Sequence, residues 1–219
     1  MAFALIDHCK GVQTTSAMNS TGANLVVAVV SGFADPVITD SKSNTIIKLT
    51  NYQDGLSTGV TIHYFFGGTV GAGHTFTTAS STTAICAAAF SGSLAAPVDV
   101  NVGGNNAVPA TTVPTPTATP TLNGELIISG ICFGVNTPTI DSGMIILDSI
   151  AGVISLNYGS ALAYKSQGIK SSIAPTWTFP VSDVTQYTTA TFKVASFTSP
   201  GATGSNVGSF LGYSAMGSF

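Results

Sequence analysis

Nine short runs rich in apolar, β-branched and aromatic residues are spaced along the chain, with Gly, Pro, Asn and Asp between them. Runs of this length bounded by turn-forming residues are typical of a β-sandwich or β-barrel. One run, TTATFKVASF, alternates polar and apolar residues as a half-buried antiparallel strand does. No segment keeps an apolar period of 3.6 residues. The sequence therefore predicts an all-β, antiparallel two-sheet β-sandwich, jelly-roll-like or immunoglobulin-like, with very little helix. The runs cover residues 24–33, 44–52, 59–68, 74–80, 83–92, 124–134, 144–150, 160–167 and 187–197.

The segment VPATTVPTPTATPT, residues 108–121, decides the domain organisation. Its prolines and its threonines at every second position indicate polyproline II or an edge strand. As a linker it would separate two halves of about a hundred residues, a size that folds alone. Neither half, however, has the roughly seven strands of a complete sandwich. We therefore predict one sandwich domain over residues 21–198, in which this segment crosses between the sheets along an edge. An N-terminal arm (1–20) and a Gly/Ser-rich tail (199–219) flank it.

Two stretches of the chain resemble each other. NLVVAVVSGF begins at Asn24 and ELIISGICF begins at Glu125, and a turn-prone glycine precedes each, Gly22 or Gly124. Two equivalent strands, one in each half, are what two packed sheets would contain. Tandem domains, each with its own opening strand, are the alternative.

Charge is scarce in this chain, and the scarcity restricts its partners. Charged residues make up 7%, arginine is absent, and the net charge is −3. Nucleic-acid binding depends on Lys and Arg that neutralise phosphates, so no nucleic-acid partner is expected, and no anionic membrane. A free monomer is normally kept soluble by far more surface charge. We therefore expect the protein to work inside an assembly, as a homo-oligomer or with other proteins.

The N-terminal stretch MAFALIDHCKGVQ lacks the basic region and apolar core of a secretory signal. The run LVVAVV, residues 25–30, is far too short to span a bilayer. Synthesis in the cytoplasm without a signal peptide is therefore the expectation.

No catalytic, cofactor or metal site is predicted. The stretch AAFSGSL (88–94) lacks the spacing of a nucleophile elbow, and GTVGAGHTF (68–76) lacks the lysine of a phosphate loop. His8, His63 and His74 do not have the spacing of a zinc site, and strand histidines with satisfied hydrogen bonds are the preferred interpretation.

Two local alternatives remain open. Asp40, Ser41 and Asn44 present oxygens to a calcium ion or, without any ion, form an Asx-type turn. Cys86 and Cys132 are expected to be buried thiols, with a bridge between them as the alternative.

Aromatic residues suggest two kinds of contact. Trp177, Tyr158 and Tyr164 are candidates for a platform on which a glycan stacks, although a lone Trp more often fills the core. In the tail, spaced anchors for a neighbouring subunit are expected at Phe210, Tyr213, Met216 and Phe219.

Four segments together resemble a family of β-sandwich domains found in bacteriophage virion proteins and bacterial surface proteins. They are GANLVVAVVSGFADPVITDSKSNT (22–45), AICAAAFSGSLAAPVDV (84–100), NGELIISGICFG (123–134) and YTTATFKVASF (187–197). The likeness covers about residues 20–198 and consists of turns and apolar strands. It implies a structural or adhesive role and carries over no catalytic residue.

The expected function is accordingly that of a non-enzymatic structural protein of a phage virion. Such a protein would lie on the surface of the head, as a capsid decoration, or on a tail fibre, held by other virion proteins. The alternative is a carbohydrate-binding adhesin or receptor-binding module that binds a host-surface glycan. A hydrolase acting on polysaccharide would need two carboxylates about 5–9.5 Å apart on one face.

Overall fold

The computed structural model describes residues 2–55, 58–134, 136–154 and 156–195. These residues form fourteen strands and no helix, and every strand pairing is antiparallel. The strands are β1 (Ala4–Val12), β2 (Leu25–Phe33), β3 (Ile38–Asp40), β4 (Ile47–Lys48), β5 (Tyr52–Gln53), β6 (Thr58–Phe66), β7 (Phe76–Thr78), β8 (Ala84–Ser91), β9 (Ser93–Pro114), β10 (Leu126–Phe133), β11 (Thr139–Ile140), β12 (Ile145–Ile150), β13 (Gly159–Ser166) and β14 (Thr176–Val194).

Two large sheets pack face to face. The first sheet has the order β1-β8-β2-β6-β4, with β5 also paired to β6. The second sheet has the order β11-β14-β10-β13-β12, with β9 also paired to β14. A separate ribbon joins β3 to β7. The all-β, two-sheet sandwich predicted from the sequence is therefore confirmed.

Each half of the chain builds one sheet. The chain changes sheets at Gly92, between β8 and β9, and Gly92 adopts a positive φ of 99° there. In the first sheet, β1, β8, β2 and β6 occupy the same positions as β9, β14, β10 and β13 in the second. The short strands β4 and β5, both paired to β6, together take the place of β12 beside β13. An immunoglobulin sandwich instead divides its strands as ABED and CFG. The similarity between the stretches at 24–33 and 125–133 thus corresponds to two equivalent central strands.

Two aromatic contacts between the sheets follow this repeat. Tyr64 on β6 meets Phe192 on β14 edge to face, with ring centroids 5.8 Å apart. Tyr164 on β13 meets Phe90 on β8 at 5.6 Å. Since β6 is equivalent to β13 and β8 to β14, the same kind of pair joins the sheets twice.

Apolar side chains form three layers. The central layer lies between the sheets and draws on both halves of the chain. Each sheet is also covered on its outer face, the first by a layer that includes Met18, Ile38 and Phe76, the second by one that includes Val113 and Trp177. The central strands are therefore buried on both faces. This explains why β2 and β10 read as nearly continuous apolar runs instead of alternating.

The Pro/Thr-rich segment 108–121 belongs entirely to the second sheet. Its first part is the end of β9, paired to β14. The following part lies over the outer face of that sheet, where the Thr115 N–H donates to the Pro175 carbonyl at 3.0 Å and Ala118 bridges Ile173. The crossing between sheets expected in this segment occurs earlier, at Gly92. The segment is a packed cover that holds Ala118 in the outer layer.

The N-terminal residues also form part of the sandwich. Within the region expected as an arm, β1 pairs with β8 as an edge strand, and Cys9 and Met18 are buried in the outer layer. The Thr15 N–H donates to the Phe76 carbonyl at 3.0 Å, as Thr115 does to Pro175 in the second half. Residues 199–219 lie outside the described residues.

Polar contacts tie the sheets together along both edges. On one side, His8 Nδ1 lies 2.8 Å from Asp148 Oδ2, which connects β1 to β12. On the other side, the Tyr52 hydroxyl donates to the Asn101 carbonyl at 3.4 Å, and Asn105 Nδ2 donates to the Gln53 carbonyl at 2.9 Å. Both edge contacts join one half of the chain to the other.

The two sheets are in tight contact at Gly130, where an added Cβ would lie 2.6 Å from Val29 Cγ1. We expect Gly130→Ala to lower the free energy of unfolding by about 1–3 kcal/mol, because the stiff Val29 side chain leaves no room for it. Urea unfolding followed by the fluorescence of Trp177 measures the change.

Gly168→Ala is the matched control, since nothing lies within 4 Å of its added Cβ. Combining Gly130→Ala with Val29→Ala should recover at least about 1 kcal/mol relative to additivity. Strictly additive effects would contradict a steric origin.

Candidate functional site

A cleft opens at the end of the sandwich where β2 and β10 terminate. Its volume is about 500 Å³, within the range of pockets that bind small ligands or side chains. The floor is closed by backbone, because the Gly152 N–H donates to the Gly134 carbonyl at 2.8 Å and a Cβ on Gly152 would meet that oxygen at 2.3 Å. The cleft is lined by Phe33, Ser80, Thr82, Phe133, Gly134, Gly152, Val153, Ile154, Leu156, Asn157 and Tyr158.

Four large apolar side chains at the cleft face solvent. Ile154 is 80% exposed, Leu156 65%, Phe33 55% and Val153 47%. The last part of the β12–β13 loop is fixed by backbone hydrogen bonds, since the Leu156 N–H donates to the Val153 carbonyl at 2.8 Å. Turn tips normally carry polar residues, and contiguous exposed apolar side chains mark interaction sites.

The polar groups of the cleft are uncharged. Ser80 and Thr82 hydroxyls lie 3.1 Å apart, and Asn157 Nδ2 donates to the Tyr158 carbonyl at 2.9 Å. Burial raises the pKa of Tyr158, so its phenol stays protonated at neutral pH. Since none of the described residues that line the cleft is charged, it suits a neutral partner that is apolar in its larger part.

The three aromatic residues proposed for a glycan platform do not come together. Tyr158 lines the cleft, but Tyr164 lies six residues further along the strand, about 20 Å away, and packs against Phe90. Trp177 is completely buried, and its Nε1 donates to Ser129 Oγ at 3.2 Å. A sugar therefore has no access to the Trp177 ring. Trp177 fills the core of the protein instead.

A buried network joins Ser20, His74 and Asp40. His74 Nδ1 lies 2.8 Å from Ser20 Oγ, and His74 Nε2 lies 2.9 Å from Asp40 Oδ2. These are the residue types of a hydrolase triad, yet all three side chains are fully buried, and Ser20 Oγ also accepts from the Gly71 N–H at 3.0 Å. No substrate reaches the hydroxyl. The network stabilises the outer layer of the first sheet.

Asp40 also organises the turn that follows β3. Its Oδ1 accepts the backbone N–H groups of Lys42 at 3.2 Å and Asn44 at 2.9 Å, which is the arrangement of an Asx-type turn. Burial raises the pKa of Asp40, but hydrogen bonds from Asn44 and His74 outweigh it and the pKa lies below its usual value. Within the described ranges, no three His, Cys, Asp or Glu side chains are grouped to hold a metal ion.

The cysteines are buried thiols. Cys86 and Cys132 lie in the central layer without a bridge between them, and Cys9 lies in the outer layer. Burial raises the pKa of Cys9 to about 11 and that of Cys132 to about 12. Because thiolates are the reactive form, none of these groups is an activated nucleophile.

One pair of carboxyl groups, Asp99 and Glu125, lies close together at the end of the sandwich opposite the cleft. Glu125 is fully buried, and burial raises its pKa. Asp99 is desolvated as well, but hydrogen bonds from Thr121 lower its pKa, and Lys193 Nζ lies 3.2 Å from its Oδ1. Both side chains are buried, and neither lines the cleft described above.

Phe33, Ile154 and Leu156 are not among the site residues predicted from the sequence. A signal was present, because the interval 151–158 between two strands contains Val153, Ile154 and Leu156 where a connection is normally polar. An apolar loop such as 151–158 looks like a short strand in the sequence, and only the strand pairing in the structure separates the two.

Comparison of the chain with protein-family models, with curated proteins and with solved structures found no match. No helix that is long and apolar enough to cross a membrane occurs in the part of the chain that the structure describes.

His63 lies on β6 in the first sheet and is buried, so its titration tests how closely its side chain is packed. Burial, with a smaller contribution from Lys48, lowers its pKa from 6.5 to about 4. Between these values the unfolded chain binds a proton that the folded chain does not. The free energy of unfolding should therefore fall as the pH drops from 6.5 to 4, by about 3 kcal/mol from this residue.

Chemical unfolding at a series of pH values measures this slope. We expect both His63→Leu and His63→Gln to flatten it, because neither side chain titrates; the two variants differ in polarity and so separate titration from packing. A slope unchanged in both variants would show that His63 is not the group responsible.

Proposed function

We propose that this protein is a non-enzymatic structural component of a phage virion, located on the surface of the head or tail and bound to neighbouring subunits. The observation that carries the proposal is the apolar cleft, with Ile154 and Leu156 projecting into solvent from its rim. A charge-poor chain that exposes such a group of side chains needs a partner to cover them.

The chemistry of the cleft supports binding in preference to catalysis. The described residues that line it have neutral side chains, and the buried His, Cys and carboxylate groups described above lie elsewhere. The virion assignment itself rests on the resemblance of the strand segments to virion sandwich domains. Other virion proteins or further copies of this chain are the proposed partners.

Gold-labelled antibodies against the purified protein, applied to phage particles, test the assignment. We expect regularly spaced labels on heads or labels confined to tails. Antibody absorbed beforehand with the purified protein is the control. Particles without label would rule out a virion component.

Particle binding should also depend on the cleft. Ile154→Asp places a charge where an apolar side chain is to be buried, and full burial of such a side chain contributes about 1.5–3 kcal/mol. We expect at least about tenfold weaker incorporation into particles, measured by quantitative blotting of gradient-purified particles. Val108→Ser, at an apolar position 73% exposed on β9, is the matched control and should leave incorporation unchanged.

A second candidate function is the binding of a host-surface glycan. The observation in its favour is Tyr158, which lines the cleft beside Asn157, Ser80 and Thr82, so that an aromatic ring and several hydroxyl and amide groups occur together. Sugars are bound by this combination of stacking and hydrogen bonding.

A glycan array tests this second function. Tyr158→Ala is expected to abolish binding, whereas Tyr164→Ala, which alters a tyrosine packed on Phe90 outside the cleft, should preserve it. Equal loss of binding in both variants would point to a general effect on the fold.

A further inference from the structure

We propose that the cleft receives the C-terminal tail, residues 196–219, of a second copy of this chain, so that copies join end to end. This inference rests on the proposed function and names the partner of the same site. The cleft of one copy then binds the tail of the next copy, and each molecule has its cleft and its tail at opposite ends.

The position of the last described residue gives the direction of the contact. The Ala195 N–H donates to the Gly92 carbonyl at 2.7 Å, and Gly124 lies against Val194. These residues lie at the end of the sandwich where β10 begins. The cleft lies where β10 terminates, at Gly134. From Gly124 to Gly134 the chain advances ten residue steps, mostly along β10, which places the tail exit and the cleft about 33 Å apart.

The chemistry of the tail matches that of the cleft. Residues 196–219 contain no charged side chain, and the cleft lining contains none. Large apolar residues recur every third position in the tail, at Phe210, Tyr213, Met216 and Phe219. Rigid aromatic side chains in an apolar pocket are the usual centre of a binding interface.

The length of the tail favours a neighbour over the same molecule. Fourteen residues, 196–209, precede the first anchor and span at most about 46–50 Å. To reach its own cleft the tail would have to turn back and follow the molecule for about 33 Å, with only Phe197 and Val207 as large apolar side chains to hold that path. In copies stacked end to end, the tail exit of one molecule meets the cleft of the next directly.

Such a contact uses different surfaces on its two sides. Each molecule offers both a cleft and a tail, so the arrangement repeats and produces a ring if the rotation closes or a filament if it does not.

Two full-length variants test this directly in sedimentation velocity. The cleft variant carries Ile154→Asp and Leu156→Asp, at positions 80% and 65% exposed in the sandwich. The tail variant carries Phe210→Ser, Tyr213→Ser, Met216→Ser and Phe219→Ser. We expect the wild type to assemble with increasing concentration and each variant alone to remain at the monomer mass of 22.0 kDa.

Mixing the two variants provides the decisive measurement. The mixture has one functional cleft and one functional tail, so it should form a species of twice the monomer mass and nothing larger. A monomeric wild type would overturn the inference, as would variants that assemble like the wild type or a mixture that stays monomeric. Unfolding midpoints in urea that equal the wild type value show that both variants are folded, and Val108→Ser should assemble normally.

Failure of this inference is distinguishable from failure of the proposed function. Particles that carry gold label, together with a purified chain that does not complement, would mean that another virion protein occupies the cleft. Complementation without any particle label would retain the end-to-end contact and remove the virion assignment.

Discussion

The central apolar layer between the two sheets is the contact on which the rest of the molecule depends. Each half of the chain supplies one sheet, and neither sheet can bury its inner face without the other. The two sheets fit closely together. Because Gly130 has no side chain, Val29 of the first sheet packs directly against it. The buried Ser31 hydroxyl donates to Ser160 Oγ at 2.9 Å across the interface. Because the central strands are buried on both faces, each sheet also needs an outer cover, and the irregular segments that precede β2 and β10 provide it.

Much of this architecture could be read from the sequence, and the part that could not has a physical reason. Short apolar runs between turn residues predict strands, and the likeness of the runs at 24–33 and 125–133 indicates their equivalence. Strand order depends on pairings between distant residues, which local composition does not encode. The same holds for the network of Ser20, His74 and Asp40, whose members lie on separate segments of the first half and meet only through the fold. Trp177 is buried in the core, the second of the two positions considered for it from the sequence. A lone large aromatic ring gains most from burial.

The candidate site lies where the two halves cease to be equivalent. In the first half, β5 and β6 are separated by four residues, and the Asp54 N–H donates to the Thr58 carbonyl at 3.2 Å. In the second half, eight residues separate β12 from β13 and carry Ile154 and Leu156 into solvent. The longer, apolar loop of the second half provides three of the exposed apolar side chains at the cleft, Val153, Ile154 and Leu156.

The single change of sheet at Gly92 also has a consequence for how the chain is made. All strands of the first sheet are synthesised before any strand of the second, so its inner face, with Leu25, Val27 and Val29, is complete while its cover does not yet exist. Translation of the roughly hundred residues from the start of β9 to the end of β14 takes on the order of 5–20 s at ordinary rates. During that interval the nascent chain exposes an apolar sheet face that the second half has not yet covered. Apolar surface exposed in this way is prone to aggregation until the second sheet packs against it.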